Sequence, residues 1–274
     1  MLPDSTLVLS FFIILGAGLS AGFINAIVGS GTLISFPLLL LLGYPPLTAN
    51  ISSSVGLVAG NISGAYGYRR EIRQNSGLIK MLLPSSILGG ITGASLLLIL
   101  PESAFAFVVP VLVGLGLIMV VAGPRIQQRV AAARSHDTNA QEILGTAPEP
   151  ALPRGKKRLA IIVIVYLLGI YGGYFGAAQG VLMIGFLGAL LTVSLQSLNA
   201  VKNLLVAFVN ILSALIFVTW AGDIINWFVV LTIAAGAAVG GLVGAKVGRR
   251  LPANLLRAVI LVIGTVALIN LLLS

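Results

Sequence analysis

A chain of 274 residues in which 58% are hydrophobic and only 8% charged, with a mean hydropathy of +1.10, is excluded from the ordinary soluble class, where about a quarter of residues carry charge. Cysteine is absent, which removes disulfides, cysteine-ligated zinc and thiol catalysis. The formal charge of +9 sits mainly between apolar runs, where membrane topology places basic residues, so it does not argue for a nucleic-acid partner.

Apolar segments fall at about 7–28, 31–43, 47–68, 78–100, 104–123, 159–175, 177–194, 196–219, 226–248 and 253–273. Their recurrence predicts an all-α polytopic membrane protein. The first segment is not read as a secretory signal: Asp4 stands where a basic region is needed, and no Lys or Arg precedes Arg69. The stretch GFINAIVGSGTLISFPLLLLLGYPP at 22–46 is interrupted by Asn25, by Gly29-Ser30-Gly31 and by three prolines. Segment 31–43 has 13 residues, about 20 Å of helix against a hydrocarbon core of about 30 Å. Segment 177–194 is also short and follows a second glycine cluster, Gly172-Gly173 and Gly176 to Gly180. Each pair therefore reads as a helical hairpin broken at glycine. Irregular backbone at membrane depth survives only where protein or a wet cavity receives it, and half-helix N-termini there suit an anion.

Between 124 and 158 lies a polar, basic, proline-bearing stretch, read as a cytoplasmic linker. It divides the chain into a first membrane repeat, 1–123, and a second, 159–274. Gly89, Gly90, Gly93 and Ala94 match Gly240, Gly241, Gly244 and Ala245 at an offset of 151, and Gly22 and Gly29 match Gly169 and Gly176 at 147. Shared order and spacing point to duplication. Arg69, Arg70 and Arg73 mark a cytoplasmic loop, whereas the matching loop at 220–225 has Asp223 and no base. The loop at Glu102 has no base, and its match carries Arg249 and Arg250. Matched loops change sides, so two inverted-topology repeats are expected, each a glycine-broken hairpin plus three transmembrane helices. Both termini are then outside.

The polar residues within the spans are few. All seven acids fall in loops and the one histidine, His136, in the linker, so neither a carboxylate relay nor a Ser-His-Asp site has its members. No enzyme activity, metal or cofactor is expected. Lys202 stands seven residues into segment 196–219. It reads either as snorkelling to the cytoplasmic face or as an intramembrane cation whose counter-charge is a bound anion. Asn199 and Asn203 share its neighbourhood. In the first repeat the matching run holds Thr48, Asn50, Ser52, Ser53 and Ser54, five polar residues within seven positions. Asn25 and Gln179 fall near the two breaks, as structural amides or as ligands. Gly29, Ser30, Gly31 and Gly176 complete the expected binding set, whereas Gly89, Gly93, Gly240 and Gly244 read as close helix contacts.

Gly29 to Gly31, Pro37, Gly43-Tyr44-Pro45-Pro46, Thr48 to Ser54 and Gly64 to Arg70, with the second-half run Asn199 to Asn203, resemble the sulfite exporter TauE/SafE family over nearly the whole chain outside the linker. The resemblance implies a cytoplasmic (inner) membrane carrier of sulfur-containing anions such as sulfite, sulfonates or sulfoacetate-like compounds. The expected partners are a small anionic substrate and the bilayer, with a homodimer left open. Alternating-access export is the expected mechanism, against a channel-like pore, a carrier of other small organic anions or a membrane scaffold.

Overall fold

Hydrocarbon offers the backbone no hydrogen bonds, so each apolar run satisfies its own as a helix. The computed structural model describes residues 4–101, 103–105, 107–122, 152–191, 193–247, 258, 261–266, 268 and 269, and among them there is no strand. The first half of the chain comprises α1 (Asp4–Ile27), α2 (Thr32–Leu41), α3 (Pro46–Gly67), the short α4 (Arg69–Gln74) and α5 (Ser76–Ile99), followed by α6 (Ser103–Ala122). The second comprises α7 (Gly155–Tyr174), α8 (Gln179–Leu190), α9 (Leu195–Trp220) and α10 (Trp227–Val247), with helical backbone again at 261–266. Residues 124–151 of the stretch read as a linker (124–158), residue 123 before it, and the loop arginines Arg249 and Arg250 lie outside the described residues. The basic residues Lys156, Lys157 and Arg158 form the first turn of α7, where charged side chains remain in water while the apolar body enters the membrane.

Six described helices are long and apolar enough to cross a bilayer: α1, α5, α6, α7, α9 and α10. The chain is a multi-pass membrane protein. Helix α3 has 22 residues yet is not among the six, because Asn50, Ser52, Ser53, Ser54 and Asn61 lower its hydropathy. Those side chains are all buried, so the polar face of α3 is turned into protein, while Ile62 and Tyr66 near its end are exposed. Pro45 in an extended conformation and Pro46 at the first helical position start it. Ser194 starts α9 by accepting the amide of Ser197 at 3.1 Å. Helices α2 and α8, of 10 and 12 residues, are about 15–18 Å long, half a membrane each.

Helices of the first half pair with helices of the second. Helix α1 lies on α10 and α7 on α5; α3 lies on α10 and α9 on α5. Exchanging α1 with α7, α2 with α8, α3 with α9 and α5 with α10 leaves these neighbour relations unchanged. The atoms agree: Gly22 abuts the backbone of Ala237 and Gly169 that of Ser86, while Gly93 abuts Ile170 O and Gly244 abuts Phe23 O. A Cβ on Gly244 would lie 2.6 Å from that oxygen, so Gly93 and Gly244 are close helix contacts of the expected small-residue kind. One apolar core is built from α5, α7, α8 and α9. A larger one takes in α1, α2, α3, α6 and α10, with the facing ends of the others. Both cores draw on both repeats.

Candidate functional site

The last carbonyls of a helix have no partner within it. Helix α1 closes with Val28 N on Ile24 O at 2.7 Å and Gly29 N on the same oxygen at 3.2 Å, which leaves the carbonyls of Asn25 and Ala26 facing α9. Lys202 Nζ donates to them at 3.3 and 3.4 Å, and Asn203 Nδ2 to Ala26 O at 3.1 Å. Lys202 is 1% exposed; it does not snorkel. Its ammonium sits on the negative end of the α1 dipole, and the described acids Asp4, Glu71 and Asp223 lie at the start of α1, on α4 and in the turn Gly222–Ile224.

The matching end of α7 is served from the other repeat. Asn50 Nδ2, on α3, donates to Tyr174 O at 3.2 Å. Helices α9 and α3 therefore cap the broken helices α1 and α7 of the other half of the chain, with a lysine and an amide on one side and a single amide on the other.

The two breaks meet. Gly29, at φ +83°, places its Cα so that a Cβ there would stand 2.5 Å from the Cα of Gly180, and Gly180 N donates to Gly29 O at 3.0 Å. Gly176, at φ +76°, lies beside the Thr32 hydroxyl. Only glycine takes such φ values at little cost, and only glycine allows backbones this near. The N-termini of α2 and α8 thus converge, two positive dipole ends beside one buried ammonium.

Around the first break, Gly31 N donates to Asn25 Oδ1 at 3.3 Å, and Asn25 Nδ2 donates to Asn61 Oδ1. Ser30 is fully buried, its hydroxyl without a hydrogen-bond partner. The second break is held by its own repeat: Tyr171 OH donates to Ala177 O and Gln179 Nε2 to Leu168 O at 3.1 Å, the Gln179 carboxamide lying against Gly172.

The structure thus gathers Asn25, Gly29, Ser30, Gly31, Lys202 and Asn203 at the first break, and Asn50, Gly176 and Gln179 at the second. Others of the expected set lie apart from them. Ser52 Oγ accepts the Asn226 amide at 2.9 Å, at the start of α10. Ser53 ties α3 to α2 through Ser35 at 2.6 Å. Asn199 bonds back to Leu195 O of its own helix at 3.2 Å, and Thr48 is half-buried near the start of α3. The sequence pattern alone does not single out Asn61. Its one signal is its distance from Asn50: eleven residues, three helical turns along the same face. Among the described residues no group of three or more His, Asp or Glu is placed to hold a metal.

Comparison with known proteins bears on what such a site serves. The family model described as "Sulfite exporter TauE/SafE" matches residues 14–271. A "Probable membrane transporter protein" of Haemophilus influenzae is 26% identical over 250 residues, covering 89% of this chain and 88% of that protein. YfcA of Escherichia coli K12, a "Probable membrane transporter protein", is 26% identical over 90% of this chain and 83% of its own. YunE of Bacillus subtilis 168, of the same description, is 23% identical over 93% and 96%. No solved structure matches.

Proposed function

Because the chain belongs to the sulfite exporter TauE/SafE family, we propose that it is a secondary carrier of small sulfur-containing anions, sulfite, sulfonates or sulfoacetate-like compounds, in the cytoplasmic (inner) membrane. One observation carries the reading: a buried ammonium, Lys202, stands where two broken helices meet. In hydrocarbon an unpaired charge is costly. The carbonyls of Asn25 and Ala26 hold Lys202 at 3.3 and 3.4 Å, long for hydrogen bonds from a charged donor. An anion arriving at the break offers it a full counter-charge instead. Asn203 and Asn50 keep the helix ends capped as that happens.

The role in this reading is transport, which the descriptions of the relatives support; among the described residues the site offers a cation, amides and hydroxyls. Alternating access would move α1, α3 and α10 as one body against α5, α7 and α9. Glycine brings the backbones together within each group, while between the groups α3 packs on α9, Gly29 meets Gly180, and the polar residues Lys202, Asn203 and Asn50 form bridges. The repeats are oriented oppositely in this reading, with Arg69 to Arg73 and the linker cytoplasmic and both termini outside. Export of one negative charge is driven by about 2.3 kcal/mol per 100 mV of membrane potential.

The test is uptake of sulfite and sulfoacetate into proteoliposomes, with and without anion on the opposite side. Saturable flux accelerated by trans anion is the expected result. Flux that neither saturates nor responds to trans anion identifies a channel-like pore. Normal flux in a folded Lys202→Met variant overturns the site.

A further inference from the structure

The amide groups at the first break are oriented by one another. Gly31 N is a fixed donor, and it meets Asn25 at Oδ1. That places the donor end of the Asn25 carboxamide toward Asn61, and a donor there can be met only by an oxygen, so Asn61 presents Oδ1. Turning the Asn61 amide over would set two donors face to face. Its Nδ2 is therefore directed away from Asn25. That nitrogen is buried on a side chain only 5% exposed and has no hydrogen-bond partner. Such a group costs free energy wherever water is excluded, and a two-amide chain anchored on backbone holds it in place.

What surrounds it is of one chemical kind. Asn25 receives Lys202 on its carbonyl and Asn61 on its side chain. The Ser30 hydroxyl, unpartnered and fully buried, stands in the same break. Lys202 and Asn61 thus both contact Asn25, and Ser30 immediately precedes Gly31, whose amide Asn25 accepts: a cation, an amide donor and a hydroxyl donor adjoin one turn of chain. That set complements an anion having several acceptor oxygens.

We propose that Asn61 is a substrate-contacting, specificity-determining residue: its Nδ2 donates to one oxygen of a sulfur oxyanion whose charge faces Lys202. The proposal rests on the transport reading and adds to it the residue that distinguishes oxyanions from single-atom anions. A halide has only one centre to offer; a sulfite or sulfonate group spans both donors.

The experiment is calorimetric titration of the purified full chain in lipid nanodiscs with sodium sulfite, sodium sulfoacetate and sodium bromide. The wild type is expected to bind the first two more tightly than bromide. Asn61→Asp keeps the oxygen that Asn25 needs and turns the free donor into an acceptor; sulfite affinity should fall by about tenfold or more, with bromide affinity changed far less. Asn61→Ala, which only deletes the donor, should lose about fivefold to tenfold. Sulfite binding unchanged in both variants, while Lys202→Met abolishes it, overturns the role of Asn61 alone. A wild type that binds neither sulfite nor sulfoacetate overturns the transport reading and this inference together. If neither Asn61 variant folds, sulfite must still shift the Asn61 side-chain amide resonance of the wild type, and an unmoved resonance overturns the proposal.

Discussion

The two helix breaks are equivalent in position and different in chemistry. Gly29 and Gly176 match across the repeats, both take positive φ, and each is followed by a half-length helix. The second break is held by Tyr171 on Ala177 O and Gln179 on Leu168 O from its own half of the chain and by Asn50 on Tyr174 O from the other. The first receives Lys202 and Asn203 from the other half; both breaks retain unpartnered polar atoms, on Ser30 and Asn61 at the first and on Asn50, Tyr174 and Gln179 at the second, so the difference between them is the lysine. The fold is nearly symmetric, but the charge is not. Of the two breaks, the first is the one that receives a lysine.

The difference can be tested by unequal damage. Gly29→Ala should act most strongly: the φ of +83° and the Gly180 backbone 2.5 Å from the new Cβ together should cost more than about 3 kcal/mol, read as a collapse in melting temperature and yield. Next, Lys202→Met should lower sulfite flux by roughly 30-fold, about 2 kcal/mol. Its stability should stay near wild type or rise, since an apolar replacement of a buried charge is often tolerated; a matching loss of stability would make Lys202 a structural residue. Gln179→Leu, at the second break, should lower stability by about 1 kcal/mol through the orphaned Leu168 carbonyl and leave sulfite affinity within about twofold, so a large affinity loss would erase the asymmetry. The smallest effect is expected at Ala178, a non-glycine at φ +60°: Ala178→Gly should stabilise by about 0.5 kcal/mol, the relief of the left-handed conformation less the gain in unfolded-state entropy, measured by thermal unfolding in detergent.

Much of this was legible from residues alone. The apolar runs became helices because hydrocarbon leaves the backbone no other partner, and the matched glycines at 22 and 169, 93 and 244 lie in matched helix contacts. The polar run from Thr48 to Ser54 was less transparent. Its members diverge to α2, α7 and α10, since neighbours on a helix point about 100° apart. Asn61 passed unnoticed because an isolated amide in a span looks the same whether it back-bonds or pairs.

Hydropathy, glycine positions and loop charge determined by themselves that this chain crosses a membrane many times, breaks two of its helices and sets Lys202 within an apolar segment, because those properties are local and additive along the chain. Which carbonyls meet Lys202 and which face of Asn61 is free were decided only in three dimensions. Each depends on helix ends from opposite repeats arriving at one point, and a one-dimensional pattern carries no record of that meeting.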